Sequence, residues 1–344
     1  MKFEAITIKD IARALGLSTS TVSRALRDSY EISPETKKLV LDYAEKSNYK
    51  PNPIALSLKE RRSRSIGVIV CEIANSFFSQ TINGIESIAY NNGYNVIIAQ
   101  SRESYDRELM NLQYLSSRSV DGLIISVSTE TTDTTPLRDL IQKGLPIVFF
   151  DRVVSDIQTH KVIADNFKGA YEATMHLIQC GYKRIAAVSN PSSLSITRER
   201  LAGYRAAFED HGLTVDEKLI KYCQHGGMII PEVEKSVNEL LRLKQVPDAI
   251  FTTSDKLTTN FLRILRTKGL RVPDQMGLLG FSNTDLTELL DPPLSVIRQP
   301  AFEMGEIATS MLLQLIESKR PVTEFETRRL STELLLRGST RQVV

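Results

Sequence analysis

The chain has few cysteines, few histidines and no long apolar run, and each scarcity closes off a class of function. Its three cysteines, Cys71, Cys180 and Cys223, are odd in number and far apart in 344 residues. They make neither a disulfide framework nor a zinc site, and read as buried thiols in a reducing compartment. The four histidines, at 160, 176, 211 and 225, form no ligand pattern, so no metal and no cofactor is assigned. No stretch approaches the roughly 20 apolar residues of a membrane span, and no membrane partner is expected. Met1-Lys2-Phe3-Glu4 leads directly into a helical pattern rather than a signal peptide. The P-loop, GxGxxG, GxSxG and HExxH signatures are all missing, which argues against an enzyme.

Net charge is also scarce, at +2, but the total hides a division. The first 64 residues carry 13 Lys+Arg against 8 Asp+Glu, and the remaining 280 carry 30 against 33. A basic excess confined to one short end is what phosphate neutralisation by a nucleic-acid reader requires.

That end is rich in helix punctuation. Thr7, with Asp10 three residues on, predicts an N-cap with an acidic partner. Ile8, Ile11, Ala12 and Leu15 then fall on one helical face. Gly16 stops this helix and Ser18 caps a second, whose apolar stripe is Val22, Ala25 and Leu26. Two short helices across a glycine turn make a bihelical DNA reader, in which the first residues of the second helix reach base edges. Those residues are Thr19, Ser20 and Arg24; an arginine fork can pair with guanine O6 and N7. Thr7, Ser18, Thr21 and Ser23 are placed for phosphate oxygens, which fix register rather than sequence. A third helix begins at Ser33-Pro34-Glu35, with Leu39, Val40, Tyr43 and Ala44 as its core face. Tyr49 and the segment Pro51-Asn52-Pro53-Ile54-Ala55-Leu56-Ser57-Leu58 follow, then the basic run from Lys59 to Arg64.

In these features the chain resembles transcription factors of the LacI/GalR family, and the match extends from Thr7 to about Leu336. The pattern TIxDIAxxxGVSxxTVSRxLN, then a tyrosine and PNxxAxxL, is present with Leu17 in place of valine. The resemblance implies a hinge helix over PNxxAxxL, with Asn52 on phosphate, and with Leu58 wedged into the minor groove beside Ala55. An apolar wedge of this kind spends a few kcal/mol on unstacking and gains a kinked, better-wrapped duplex.

From Ser65 onward short β-rich runs alternate with helical stretches. Ile66–Val70, Asn95–Ile98, Gly122–Ile125 and Ile147–Phe150 read as buried parallel strands, with helices such as Thr81–Asn91 and Arg107–Leu115 between them. Ile185–Val188, Ala249–Phe251 and Met276–Phe281 form a second series. The fold class is therefore α/β: an all-α helix-turn-helix headpiece (residues 1–50), a hinge and linker (51–64), and a sensor (65–340) of two doubly wound lobes. The resemblance implies three crossings between lobes, placed near Ala164, Pro293 and Val322. Lobe 1 is then 65–163 with 296–322, and lobe 2 is 164–293 with 325–340.

Ligands of doubly wound sheets sit at the carboxyl ends of the strands. Asn75, Phe77 and Phe78 follow the first strand and match an NPFF-like family segment, with Ser76 in place of proline. Asp151 ends the fourth strand, where a carboxylate can accept two sugar hydroxyls. Arg200 matches the effector-contacting arginine of RxxRLxGY, and Arg198 beside it is read as structural. Ser254 and Asp255 match an Asn-Asp pair, and Gln299 continues the match. Ser282-Asn283 stands where many members have a carboxylate, so one hydroxyl acceptor is expected to be lost. That shifts the expectation from a neutral hexose toward an acidic sugar or other anion.

The whole predicts a sequence-specific transcriptional regulator, expected to be a repressor. Its partners would be a pseudo-palindromic double-stranded DNA operator, a sugar or sugar acid bound between the lobes, and a second copy of itself. No terminal leucine heptad is present, so a homodimer is expected rather than a tetramer, working in the bacterial cytoplasm at the nucleoid. A carbohydrate-binding protein without a role on DNA would account for residues 65–340 but not for the first 64.

Overall fold

The computed structural model describes residues 6–49, 62–118 and 120–342. The expected hinge residues Asn52, Ala55 and Leu58 lie outside them. The chain divides into two units, Met1–Ser63 and Arg64–Val344.

The first unit is three helices: α1 (Ile8–Leu15), α2 (Thr19–Ala25) and α3 (Pro34–Lys46). Thr7 caps α1 in a reciprocal box. The Thr7 amide donates to Asp10 Oδ2 at 3.0 Å, and the Asp10 amide donates back to Thr7 Oγ1 at 3.4 Å. Gly16 ends α1 in the left-handed region at φ 63°, where glycine carries no Cβ penalty. Ser18 accepts from the Thr21 amide at 3.0 Å and starts α2. Ile11, Ala12, Val22, Ala25, Val40 and Ala44 form the shared core. Leu39, expected in that core, is instead 50% exposed. It stands about 100° around α3 from Val40, so the helix buries Val40 and Ala44 and turns Leu39 outward.

The second unit holds two sheets. Its first half runs β1 (Ser65–Val70), α4 (Ser76–Asn91), β2 (Asn95–Gln100), α5 (Tyr105–Ser117), β3 (Gly122–Ile125), α6 (Thr135–Gln142), β4 (Ile147–Phe150) and β5 (Lys161–Ala164). The chain then forms α7 (Asn166–Gln179), β6 (Ile185–Ser189), α8 (Ser195–Asp210), β7 (Ile220–Tyr222), α9 (Ile230–Leu241), β8 (Ala249–Thr252), α10 (Asp255–Thr267), β9 (Gly277–Phe281) and β10 (Ser295–Arg298). It ends with α11 (Ala301–Glu317), β11 (Thr327–Leu330) and β12 (Glu333–Leu335).

The strand orders are β11-β5-β4-β3-β1-β2 in lobe 1 and β12-β10-β9-β8-β6-β7 in lobe 2. Every pair among the described residues is parallel except β10 with β12. Residues such as Val68 and Ile69 of β1, or Ile250 and Phe251 of β8, are buried on both faces, as helices on both sides of a parallel sheet demand. The expected architecture of a helical headpiece and two doubly wound lobes is met.

The crossings between lobes differ from two of the expected positions. The first lies between Ala164 and Asn166. The second is at Gln299-Pro300 rather than Pro293, because β10 pairs with β9 in lobe 2. The third is at Ser331-Thr332 rather than Val322, because β11 still pairs with β5 in lobe 1. The short strand Thr327-Arg328-Arg329-Leu330 is polar and mostly exposed, so no apolar pattern advertised it.

The glycine of the RLxGY element has a packing cause. A β-carbon placed on Gly203 of α8 would stand 2.2 Å from the Phe167 carbonyl oxygen of α7. The two helices touch backbone to backbone there. Gly203→Ala should therefore cost about 1–3 kcal/mol through overpacking, read as a lowered unfolding midpoint in urea; an unchanged midpoint would show that α7 and α8 separate freely.

Candidate functional site

The first unit offers a polar helix face. Thr19, Ser20 and Arg24 of α2 are all exposed. Arg24 Nη1 lies 3.2 Å from Glu31 Oε2, an open ion pair that contributes little to stability. The hydroxyls expected on phosphate are not equivalent. Thr7 Oγ1 donates its proton to Asp10 Oδ2 at 2.6 Å, so its donor is engaged within the cap. Ser18 Oγ lies within 2.7–2.8 Å of Ser20 Oγ and Thr21 Oγ1, a cluster that can re-orient its protons toward an anion. Ser23 Oγ accepts from Arg27 and so keeps its own proton to donate. Arg27, just beyond the last turn of α2, is a cation not anticipated from the sequence.

The second unit brings polar side chains from both lobes to the strands' carboxyl ends. Asp151 directly follows β4, buried, with φ 56°; a left-handed aspartate is tolerated at some strain and here re-aims the chain at the site. Burial raises its carboxyl pKa above the usual range, opposed by the charges of Arg200 and Arg152. Gln299 Nε2 reaches Asp151 Oδ1 at 3.4 Å, a contact across the second crossing.

Arg200 projects from α8 into the same space. Its Nε donates to Asn166 Oδ1 at 2.8 Å and its Nη1 to the Thr253 carbonyl. The guanidinium carbon is 3.7 Å from the centre of the Phe281 ring, a cation–π contact that holds it in plane. Nη2 has no hydrogen-bond partner among the described residues. Burial lowers the Arg200 pKa to about 10, which still leaves it charged near neutrality.

Ser282, Ser254 and Asp255 meet as expected at the ends of β8 and β9. Ser282 Oγ donates to Asp255 Oδ1, and Ser254 Oγ donates to the Gly226 carbonyl at 3.2 Å. Asp255, whose pKa burial raises, is the carboxylate at this corner. Asn283 is consumed by structure. Its Nδ2 donates to Gln80 Oε1 at 2.9 Å and to the Gln299 carbonyl at 2.8 Å, while its Oδ1 accepts from the Gln299 amide at 3.0 Å. A carboxylate at this position could make neither donation.

Three expected residues play other parts. Asn75 caps α4, its Oδ1 accepting from the Phe77 amide at 2.9 Å. Phe77 and Phe78 lie in the first turn of α4 rather than a loop, packed in the lobe 1 core, and Phe78 meets Phe150 edge-on. The helix starts earlier than the Thr81–Asn91 stretch read from the sequence.

Several groups at the site were not foreseen from the sequence. Buried polar atoms without hydrogen-bond partners among the described residues gather near the strand ends: Ser101 and Ser126 Oγ in lobe 1, Asn190 Oδ1 and Thr197 Oγ1 in lobe 2. Glu103 joins them from the lobe 1 side. A β-carbon placed on Gly226 would be 3.4 Å from Glu103 Oε1 and 3.5 Å from Asn190 Oδ1, so these acceptors of opposite lobes face one point. Each such orphan costs about 1–3 kcal/mol unless something pairs with it. A signal was available: Ser101, Ser126 and Asn190 each follow a strand immediately.

A helix-turn-helix reader on one unit and a two-lobed polar cleft on the other define a ligand-sensing DNA-binding regulator. Residues 7–52 match the bacterial regulatory proteins of the lacI family. Residues 63–333 match the periplasmic binding proteins and sugar-binding domain of the LacI family. The chain belongs to the LacI family and is a transcriptional regulator of that kind. It is 33% identical to the HTH-type transcriptional repressor CytR of Escherichia coli strain K12, over 98% of this chain and 97% of that protein. It is 32% identical to the HTH-type transcriptional repressor PurR of Photobacterium profundum, over 98% of this chain and 99% of that protein. Among solved structures, the transcriptional regulator CelR in complex with cellobiose aligns with a TM-score of 0.72 at 29% identity, covering 97% of this chain and 99% of that one.

Proposed function

We propose that the protein is a dimeric repressor whose grip on a pseudo-palindromic operator is set by a sugar bound between the lobes. The observation that carries the sugar reading is the set of unpaired buried polar atoms facing the cleft from both lobes. A polyhydroxylated ligand both donates and accepts at each hydroxyl, which is what a mixture of the Arg200 donor, the Asn190 acceptor and the Asp151 and Asp255 carboxylates asks for. With Glu103 nearby, carboxylates are plentiful, so the part of the ligand that contacts Asp151 and Asp255 is neutral. CytR and PurR carry the name of transcriptional repressors, and CelR was solved with cellobiose; both facts support the reading.

Thr19, Ser20 and Arg24 would read bases, Ser18, Thr21 and Ser23 would bond phosphates, and Ala55, Leu58 and Asn52 would act from the hinge. No catalytic role is proposed, and the site of action is DNA in the bacterial cytoplasm. Ligand binding and DNA binding then share a coupling free energy, typically about 1–3 kcal/mol.

Two measurements test this. A thermal-shift screen of neutral aldoses, uronates and nucleobases should find a ligand that raises the melting temperature by mass action, and that ligand should change operator affinity in a gel shift. Arg24→Ala should weaken specific operator binding by about 1–3 kcal/mol while leaving ligand affinity intact. If sugar affinity fell as well, the two sites would not be separable.

A further inference from the structure

We propose that lobe 1 carries a second ligand site, away from the cleft, for a small carboxylate with an apolar body, such as a medium-chain fatty acid. A cavity of about 420 Å³ lies at the amino ends of β4, β5 and β11. These strands are parallel, so the cavity is at the opposite end of the sheet from the cleft. Its size falls within the roughly 300–1,000 Å³ of small-molecule sites. Three segments enclose it: the passage from α6 into β4, the approach to β5, and the connection from α11 to β11. The site does not depend on the sugar reading above.

Three observations identify the ligand's chemistry. The walls are apolar, with Ile141, Leu145, Leu315, Val322 and Phe325 lining the space. Phe325 is 37% exposed yet held on two sides. Its ring meets His160 edge-on at 5.5 Å, and the next amide, that of Glu326, donates to His160 Nδ1 at 3.0 Å. An open aromatic fixed in this way is a ready-made apolar wall. The charge at the cavity is of one sign. Lys319 and Arg320 line it and no carboxylate does. Neither cation has an ion-pair partner among the described residues; Glu317 and Glu324 flank the turn in sequence without lining the cavity, and Glu326 pairs with Arg328 Nε at 2.9 Å.

The remaining polar groups are too few for a polyol. Thr159 Oγ1 donates to the Ile147 carbonyl, and Ser318 Oγ donates to the Arg320 carbonyl at 2.6 Å. Gln158 is then left beside the two cations. A sugar would bury hydroxyls without partners, whereas a single carboxylate asks for the few charged donors that Lys319 and Arg320 offer. The position gives binding a consequence. α11 starts directly after the second crossing and β11 ends directly before the third. A ligand seated between the end of α11 and the start of β11 braces both against β4, and so acts on the crossings without touching the cleft.

The test is calorimetric titration of the full-length protein with hexanoate, octanoate and decanoate, and with acetate and octylamine for comparison. Affinity should rise about fourfold per added methylene, and acetate and octylamine should bind far more weakly than octanoate. Lys319→Gln combined with Arg320→Gln, two exposed positions, should weaken octanoate by about tenfold or more. Val322→Trp, which fills the cavity from a half-buried loop position, should remove octanoate binding. Octanoate that fails to bind, binds no better than acetate or octylamine, or binds undiminished in both variants would overturn the site. Octanoate binding lost in Arg200→Met but kept in the lobe 1 variants would overturn it as well, by assigning the ligand to the cleft. A changed oligomeric state of the Val322→Trp protein in sedimentation would give this face to a second copy of the chain instead. None of these outcomes bears on whether a sugar occupies the cleft.

Discussion

Arg200→Met is expected to abolish effector binding, by at least about 100-fold in affinity, while operator binding by the headpiece persists. The side chain does two jobs at once. Its Nη2 is the unpaired donor of the lobe 2 wall, and its charge is the larger of the two that oppose the burial-raised pKa of Asp151. Methionine fills the volume but leaves the Asn166 and Thr253 acceptors unmatched and Asp151 short of a counter-charge. Removing one partner from a buried charged arrangement costs about 3–5 kcal/mol, so the sensor's unfolding midpoint should fall as well. Titration calorimetry and a denaturant melt separate the two effects. Unchanged ligand affinity in a destabilised variant would restrict Arg200 to bracing α7 against β8.

Acidity offers the second large effect. Glu108 is fully buried in α5, where Oε2 accepts from the Ser128 amide at 2.7 Å and Oε1 from Thr131 Oγ1 at 2.8 Å. Burial raises its pKa to about 7, opposed by the bonds from Thr131 and the Ser128 amide and aided to a lesser degree by the nearby negative charge of Glu103. The folded state therefore holds a proton that the unfolded chain releases near pH 4.5. Stability attributable to Glu108 is fully present below that pH and is lost as pH rises toward 7, by about 3 kcal/mol in total. Glu108→Gln mimics the protonated form, accepting from Ser128 and donating to Thr131. Its urea midpoint should be higher than that of the parent at pH 8 and should vary less between pH 5 and 8. Parallel pH profiles for the two proteins would contradict the assignment.

Much of the architecture was legible because it rests on local patterns. Thr7, Gly16, Ser18 and Ser33-Pro34 each have a backbone task that only a few residue types perform, so the headpiece helices could be read nearly to the residue. The central strands were legible for the opposite reason: continuous apolar runs such as Ile147-Val148-Phe149-Phe150 can only be buried. Edge strands carry no such constraint. Ile220–Tyr222 and Thr327–Leu330 are short or polar, and missing the second of these displaced a crossing by about nine residues.

In the cleft, Asp151, Ser254, Asp255 and Ser282 were picked out by their place after strands, and Arg200 and Gln299 by the family resemblance. Asn283 shows the limit of that approach, because its role depends on Gln80, some two hundred residues away, and on a backbone carbonyl. Phe77 and Phe78 are ambiguous for a different reason. An aromatic pair has the same appearance in sequence whether it faces a ligand or a core, and only the position of the Asn75 cap decides.

The three crossings carry a mechanical implication. β5 and β11 are neighbours in one sheet, and β10 and β12 are neighbours in the other, so the strips of chain that pass between the lobes run side by side. Three parallel strips of fixed length behave like a strap: folding across it flexes all three alike, whereas twisting would stretch the outer ones against stiff covalent geometry. The lobes are left with one compliant direction, opening and shutting about the strap. Molecules of different shape in the cleft are then reduced to a single number, the angle of that fold.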